Sequence, residues 1–379
     1  MGNEMNQEKN LEKNLETKRK VWKLALLGFG NAGQAFAKML LDHEEEIASS
    51  YGAKVVVTAI ATGSRGNLVC GSGSGLADGA EDAAEAADEA GIDLRRALAD
   101  VESPAGKFTD ATALTSMTTM EIVEQADYDI LVEMTPLNIK TGQPAIDHIR
   151  GAFRRGKHAI TANKGPIAWS YRSLRDMAKE AGVRFYYETT VMDGTPVFNL
   201  AEHTLRLARV TEVSGILNST TNFILEELAA GAEYEDIMRR GREMGFIEAD
   251  PAMDIEGYDA AAKITALLNV LMDAGITPDQ VDRKGIEDIT AGDIQEAASR
   301  GKVIKLLCRG WRDADGTVHA SVQPTEVDRS DMLASIDSTT SIVSITTDLM
   351  KKLSVVEHQP EIEQTAYGIF GDVLRVICE

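Results

Sequence analysis

A glycine-rich turn near the start of the chain constrains the fold more than any other feature. Residues 28–33 read Gly-Phe-Gly-Asn-Ala-Gly, the pattern G-x-G-x-x-G, and an apolar run at 23–27 precedes them. Apolar residues with helical spacing follow over 34–40. Between a strand and a helix, such a turn lets the backbone approach a pyrophosphate at the helix N-terminus. The pattern predicts a dinucleotide site made by Gly28, Phe29, Gly30, Asn31, Ala32 and Gly33.

Apolar runs alternate with helical stretches through the first half of the chain. Such runs at 55–61, 129–133 and 158–162 predict parallel strands buried on both faces, and 183–191 looks like a further strand. The second half combines a helix over 258–273 with β-rich pieces near 302–310, 317–323 and 340–347. We therefore predict the α/β class, with a Rossmann-type doubly wound parallel sheet and a second α+β domain.

The chain length of 379 residues suits two domains, because single cores stop growing near ~250–300 residues. We expect a disordered tail over 1–20 and a nucleotide-binding domain over 21–162. Residues 71–99 read as a loop and an alanine-rich helix. The substrate-binding domain should span 163–362, and a last helix over 363–379 should pack back on the first domain.

The balance of charge limits the possible partners. The sequence has 60 acidic against 39 Lys and Arg residues, a net charge of -21 that would repel nucleic acid and anionic membranes. No run approaches the ~18 apolar residues of a membrane span. Cys70, Cys308 and Cys378 lie far apart without CxxC spacing, so we expect a reducing cytoplasm. A small-molecule substrate is the expected partner.

The end of the second predicted strand indicates which dinucleotide is used. An acidic residue there would bind the ribose hydroxyls of NAD, and none is present. Thr62, Ser64 and Arg65 occupy the position instead. An arginine with hydroxyl neighbours can receive a 2′-phosphate through charge-assisted hydrogen bonds. This favours NADP, with NAD as the alternative.

Residues 248–263 carry the densest set of reactive side chains. If a helix begins near Gly257, Asp259 and Lys263 lie four residues apart on one face, where carboxylate and ammonium can act together. Three further carboxylates precede them, those of Glu248, Asp250 and Asp254. A lone pair at this spacing is usually a surface ion pair, but the apolar residues that follow favour burial here.

This segment, E-x-D-P-x-x-D-x-x-G-x-D-x-x-x-K, resembles the signature of the homoserine dehydrogenase family. Ile-Thr-Ala-Asn-Lys at 160–164 and Gly-Ile-Leu-Asn-Ser-Thr-Thr-Asn-Phe-Ile-Leu at 215–225 are similar to two further family segments, in the same order. The resemblance runs from about Val21 to the C-terminus. It implies the reversible reduction of L-aspartate 4-semialdehyde to L-homoserine, on the way to threonine and methionine. It also implies a homodimer, in which the second α+β domain is the catalytic and dimerisation domain.

The resemblance also implies roles for individual residues. Lys263, with Asp259, would orient the substrate and transfer a proton, and Lys164 is the other possible acid or base; the residues alone do not rank the two lysines. Glu248 would bind the substrate amino group. The resemblance adds Asp254, Asn218 and Thr220 to the substrate site, and Thr135 and Lys164 to the cofactor site.

A monovalent cation is also implied, held by Glu188 and by backbone carbonyls near Val191, Asp193 and Thr195. The chain departs from the family pattern at this loop, where glycines usually replace Met192-Asp193 and a nonpolar residue usually replaces Thr195. It departs again at 357–363, where a glycine-rich stretch that normally lies near the cofactor is missing. Ser219 also replaces a family glycine. Affinity or substrate preference could therefore differ.

Two other functions remain open on sequence grounds. One is a related NAD(P)-dependent oxidoreductase acting on another small aldehyde or hydroxy acid, since this type of fold hosts several chemistries. The other is a sensor that binds NADP(H) without turnover. The sensor would explain the missing glycine loop, but it would not explain the complete set of lysines and carboxylates.

Overall fold

A seven-stranded sheet carries the first half of the chain in the computed structural model, which describes residues 19–71, 91–244, 247 and 250–379. Its spatial order is β4-β3-β2-β1-β5-β6-β7. The five strands from β2 to β7 in this order are parallel, and β3 and β4 join antiparallel at one edge. The strands are β1 (Lys20–Leu27), β2 (Ala53–Ala61), β3 (Asn67–Val69), β4 (Leu114–Thr115), β5 (Ile130–Glu133), β6 (His158–Thr161) and β7 (Phe185–Tyr186).

Helices cover both faces of this sheet. Alternate residues of β1 enter different cores: Trp22, Leu24 and Leu26 pack in one cluster, whereas Ala25 and Leu27 pack in the other. This is the two-residue period of a strand buried on both sides. The described helices of this half are α1 (Asn31–Asp42), α2 (Glu44–Tyr51), α3 (Leu94–Glu102), α4 (Thr119–Gln125), α5 (Ala145–Arg154) and α6 (Lys164–Ala181).

The second half forms a six-stranded, mainly antiparallel sheet with the order β13-β12-β8-β10-β11-β9. Only the short β9 pairs in parallel among these described strands. Its strands are β8 (Val210–Ile216), β9 (Asp282–Arg283), β10 (Lys302–Arg312), β11 (Val318–Asp328), β12 (Ser341–Thr347) and β13 (Lys351–Glu357). The helices are α7 (Val197–Thr204), α8 (Ser219–Ala229), α9 (Tyr234–Glu243), α10 (Ala252–Ile255), α11 (Tyr258–Met272), α12 (Ala291–Ser299) and α13 (Ile362–Cys378).

Helix α11 joins the two halves. It packs against α6 from the first half and against β8 and β10 of the second sheet. Most of its residues are buried, including Leu267 and Leu268, and the Asn269 amide donates to the carbonyls of Ile167 (3.1 Å) and Ile276 (3.0 Å). The buried helix therefore holds its first two turns, with Asp259 and Lys263, against α6.

Helix α13 returns to the first half and packs against α1. Its residues Ile369 and Val373 belong to the same buried cluster as Leu24 of β1. The Phe370 ring contacts His43, which follows α1, with the ring centres 5.6 Å apart. The last helix of the chain thus completes the core of the first sheet.

The structure confirms the predicted fold class, and it also corrects details. The strand predicted over 183–191 is wrong: β7 covers only Phe185–Tyr186, and a 3-10 helix, Glu188–Thr190, follows. The backbone turns there because the N–H of Glu188 donates to Asp372 of α13 (2.9 Å). Most of the predicted tail and much of 71–99 lie outside the described residues. No helix within the described ranges is both long and apolar enough to cross a membrane.

Candidate active site

The glycine turn between β1 and α1 has three glycines with different surroundings. Gly28 adopts a φ of 103°, and a Cβ atom there would lie 2.4 Å from the carbonyl oxygen of Met134. A Cβ on Gly30 would meet no atom within 4 Å, whereas one on Gly33 would lie 2.8 Å from the Gly28 carbonyl oxygen. Gly28 thus makes the tight turn, Gly33 permits close packing, and Gly30 leaves backbone accessible to an anion.

Three neighbouring parallel strands end at this turn. Gly28 follows β1, Thr135 follows β5, and Lys164 follows β6 as the first residue of α6. Asn163 precedes α6, and its side-chain oxygen accepts from the N–H of Gly165 (2.9 Å). In open α/β sheets, ligands bind beyond the carboxyl ends of such strands. Lys164 therefore enters the site from the nucleotide side.

Two lysines meet at one carboxylate. The ammonium nitrogen of Lys164 lies 3.0 Å from Oδ1 of Asp259, and that of Lys263 lies 3.0 Å from Oδ2. The side chains are 20%, 14% and 21% exposed for Lys164, Asp259 and Lys263, so the group is enclosed but open on one side. Residues distant in sequence, from α6 and α11, thus form one charged centre.

The pKa values of this centre follow from its charges. Burial would raise the pKa of the Asp259 carboxyl, but the ammonium groups of Lys164 and Lys263 outweigh it and hold that pKa well below its usual range. Burial would lower the pKa of Lys263, but the neighbouring carboxylates, Asp259 first, raise it above its usual range. At neutral pH Asp259 is therefore ionised and Lys263 is an ammonium.

Asn218 links the charged centre to α10. Its amide donates to Asp254 (2.7 Å) and to Oδ2 of Asp259 (3.0 Å), while its oxygen accepts from the N–H of Thr221 and caps α8. Lys263 also donates to the carbonyl oxygen of Leu217 (2.7 Å). Hydrogen bonds thus join the family segments at 215–225 and 248–263 directly.

Of the other predicted substrate residues, Thr220 lies buried in the first turn of α8. Glu248 lies outside the described residues. Burial, and then the charge of Asp259, raise the pKa of Asp254. The described surroundings of the lysine pair on the α10 side are therefore acidic.

The two departures from the family pattern lie next to each other. Asp193 and Glu357 are close enough to interact electrostatically with each other and with Lys263. The Thr195 hydroxyl donates to Glu357 (2.9 Å), and the Thr365 hydroxyl donates to Asp193 (3.1 Å). Burial, and then the Asp193 charge, raise the pKa of Glu357 to about 7. This chain thus places two additional carboxyl groups beside Lys263.

Met192 and Asp193 both adopt the left-handed conformation, with φ of 58° and 50°. Glycine adopts this region without strain, whereas other residues pay roughly 1–2 kcal/mol each. The backbone therefore keeps a course that suits the glycines usual in the family at these positions, although the side chains have changed.

The predicted cation ligands have other partners. Both oxygens of Glu188 accept N–H groups from the start of α7, Oε1 from Phe198 (2.7 Å) and Oε2 from Asn199 (2.8 Å). The carbonyl of Thr195 accepts from the N–H of Val197 (2.7 Å). Val191 and the backbone of Asp193 lie in the same loop. The Glu188 carboxylate therefore caps the start of α7 in this arrangement.

Arg65 lies in the loop after β2, as the sequence predicted. Its guanidinium donates to the carbonyl of Gly106 (3.3 Å), and its backbone N–H donates to the Thr62 hydroxyl (2.9 Å). Ser64 is exposed beside it. One nitrogen of the guanidinium is held by the Gly106 carbonyl. A guanidinium carries five N–H groups, so further donors are present on the same side chain.

A dinucleotide turn and a lysine pair at the same end of one parallel sheet define a class: an oxidoreductase that uses a nicotinamide nucleotide. The comparisons with known proteins make this specific. The family model for the NAD binding domain of homoserine dehydrogenase matches residues 28–188, and the homoserine dehydrogenase model matches 196–374.

Individual relatives agree along nearly the whole chain. The homoserine dehydrogenase of Methanocaldococcus jannaschii is 34% identical, over 93% of this chain and 98% of its own. The NAD(+)-dependent homoserine dehydrogenase of Pseudomonas canavaninivorans is 32% identical, over 94% and 96%. A solved structure from Archaeoglobus fulgidus, assigned as a homoserine dehydrogenase, is 30% identical with a TM-score of 0.79, over 94% and 100%. The chain belongs to the homoserine dehydrogenase family of NAD(P)-dependent oxidoreductases.

Proposed function

We propose that this chain interconverts L-aspartate 4-semialdehyde and L-homoserine, with Lys263, Lys164 and Asp259 as its catalytic residues. The single observation that carries the assignment of roles is the bridging of both lysines by one carboxylate at the nucleotide end of the first sheet. Bound NAD(P)H supplies the hydride. The protein must then stabilise the negative charge that develops on the aldehyde oxygen and deliver a proton to it.

Lys263 is our candidate for the proton donor. Its raised pKa keeps the ammonium form at neutral pH, which is the form that can donate to an alkoxide. Asp259 and the Leu217 carbonyl hold its nitrogen in place. Lys164 adds a second positive charge from the cofactor side. Asp254, Asn218 and Thr220 would orient the amino acid part of the substrate, with Glu248 as the proposed partner of its ammonium group.

For the cofactor we propose the turn at 28–33 with Thr135 and Lys164, and NADP in preference to NAD. Arg65 supports this preference, because it follows β2, the strand after which folds of this type contact the ribose or its 2′-phosphate. Measured affinities for NADPH and NADH decide between them, and Arg65→Ala should weaken only the former. A monovalent cation at Glu188 stays a prediction, and no step of the proposed reaction depends on it.

We also propose the assembly and division of the chain that the sequence suggested. Residues 21–162 would bind the nucleotide, 163–362 would bind the substrate and form a homodimer, and α13 would belong to the first unit. Its packing on α1 supports the last point. No disulfide joins Cys70, Cys308 and Cys378, which are all described, and this fits the proposed cytoplasmic location.

The decisive experiment mixes the purified protein with NADPH and L-aspartate 4-semialdehyde and follows the nicotinamide absorbance. We expect consumption of NADPH and formation of homoserine. Consumption only with other aldehydes would instead indicate a related oxidoreductase. Binding of NADPH without consumption would indicate a sensor.

A further inference from the structure

A buried glutamate links the cofactor side of the site to the lysine pair. Glu133 is the last residue of β5 and is fully buried, at 0% exposure. Oε1 of its carboxylate accepts from the backbone N–H of Thr135 (3.1 Å) and from the Thr135 hydroxyl, and Oε2 accepts from the Thr161 hydroxyl (3.3 Å). Burying a carboxylate costs free energy unless hydrogen-bond donors surround it. These contacts therefore hold the Glu133 side chain in one position.

The hydrogen bonds continue from Glu133 to Lys164. The Thr161 hydroxyl also accepts from the N–H of Asn163 (3.0 Å). The Asn163 side chain in turn donates to the Thr135 carbonyl (3.1 Å) and caps α6 through Gly165. Lys164, the first residue of α6, follows directly and reaches Asp259. One carboxylate thus fixes both Thr135 and the start of the helix that presents Lys164.

His148 of α5 lies on the other side of this carboxylate. Its Nδ1 is 3.7 Å from Oε1 of Glu133, and the residue is 4% exposed. Nδ1 has no hydrogen-bond partner among the described residues. The imidazole thus lies beside the buried carboxylate without a hydrogen bond to it.

We propose that Glu133 is a positioning residue for the reaction: it fixes Thr135 toward the cofactor and, through Thr161 and Asn163, fixes the direction in which Lys164 enters the site. The proposal rests on the proposed function for its turnover measurements, but its cofactor measurement is independent of the substrate. Glu133 does not touch the reacting atoms. Its effect therefore passes through Thr135 on one branch and Lys164 on the other.

The test begins with Glu133→Gln, which keeps the shape but replaces one accepting oxygen by an N–H2 group. We expect kcat to fall about tenfold or more and NADPH to bind about tenfold more weakly, because small displacements of catalytic groups are costly. Glu124→Gln, at an exposed position on α4, is the matched control and should change neither value. Unchanged NADPH affinity in Glu133→Gln would overturn the proposal.

The NADPH titration also separates this proposal from the proposed function. If the normal protein fails to reduce L-aspartate 4-semialdehyde, the reaction assignment fails. Weakened NADPH binding in Glu133→Gln would still support the positioning role.

Thr161→Val examines the lysine branch alone and serves if Glu133→Gln does not fold. It removes the hydroxyl between Glu133 and Asn163 but leaves Glu133 bonded to Thr135. We expect kcat to fall and NADPH affinity to fall less than in Glu133→Gln, because the Thr135 contact is kept, and we expect Thr161→Ser to restore kcat. A kcat equal to that of the normal protein would contradict the lysine branch.

A double mutant distinguishes positioning from a general structural role. In a Lys164→Met background, Glu133→Gln should lower kcat little further, because the branch through Lys164 is already lost. It should still weaken NADPH binding through Thr135. Full additivity of the two kcat losses would mean that Glu133 acts on the whole fold and would overturn the proposal.

Discussion

The Lys263 ammonium contacts a carboxylate oxygen and a carbonyl oxygen, and it faces the site from the buried side of α11. Lys263→Ala removes the proposed proton donor, so we expect kcat to fall by roughly 10²–10⁴. The affinity for NADPH should stay nearly unchanged, because the nucleotide turn belongs to the first sheet and Lys263 belongs to α11. Steady-state kinetics and a fluorescence titration measure both quantities, with exposed Lys284→Ala as the control. An equal loss of NADPH binding would show that Lys263 has been assigned to the wrong role.

Leu207 is an exposed residue in a strained backbone conformation. It is 97% exposed and has a φ of 63°, so its side chain has no packing to lose and its backbone is strained. Leu207→Gly should raise the free energy of unfolding by about 0.5–1 kcal/mol, since relief of the left-handed strain exceeds the entropic cost of glycine. Denaturant titration measures the change. The exposed neighbour Arg206, without positive φ, should lose stability when changed to glycine; equal effects would refute the strain.

Among the elements, the turn from β1 to α1 allows a matched comparison. A methyl group on Gly30 meets no protein atom, so Gly30→Ala should fold with an unchanged melting temperature. It should bind NADPH at least about tenfold more weakly, because the methyl group occupies the space of the pyrophosphate. Gly28→Ala should instead destabilise the fold, because its methyl group would collide with Met134. Melting curves and titrations test both variants; unchanged affinity in Gly30→Ala would contradict the nucleotide position.

Elements defined by short-range patterns were predictable from the sequence. The glycine turn and α11 carry their apolar period, their glycines and their charges within one segment, so both were found close to their observed bounds. β13 was not, because its identity depends on pairing with β12 in a sheet whose order does not follow the chain. The strand predicted at 183–191 failed for a similar reason, since a contact with α13 ends it early.

For the molecule as a whole, three buried carboxyl groups make stability depend on pH. Burial raises the pKa of Glu188 and of Glu357 to about 7 and that of Asp372 to about 8. Their folded-state pKa values exceed the unfolded values, so their contribution to stability is full below about pH 4 and is lost as the pH rises through about 7 to 8. We expect the melting temperature to fall between pH 5 and pH 8, measured by thermal unfolding across that range.

Glu357→Gln isolates one part of this effect. Glutamine does not titrate, so the variant should lose less stability than the normal protein between about pH 5 and pH 7. The exposed Glu361→Gln should follow the normal curve. Parallel curves for the normal protein and Glu357→Gln would show that the pKa of the Glu357 carboxyl is the same in the folded and unfolded states.

The candidate site was only partly predictable for reasons that also belong to the whole molecule. Lys263 and Asp259 were joined by helical spacing, and Lys164 by resemblance, but their common carboxylate depends on how α6 and α11 cross. Glu133 looked like the end of a strand. Its importance depends on Thr161, its register partner on the next strand, and on His148 of a separate helix. These three residues lie on separate elements, so no short stretch of sequence with a single periodicity contains them.

The packing of α13 on α1 has a consequence for synthesis of the protein. A ribosome makes the nucleotide-binding strands first, but the helix that closes their core only after every strand of the second sheet has emerged. Until then, the apolar surface around Leu24 and Phe36 stays partly uncovered. That surface is therefore open to aggregation through most of translation, and a stop codon before residue 362 would leave it permanently uncovered.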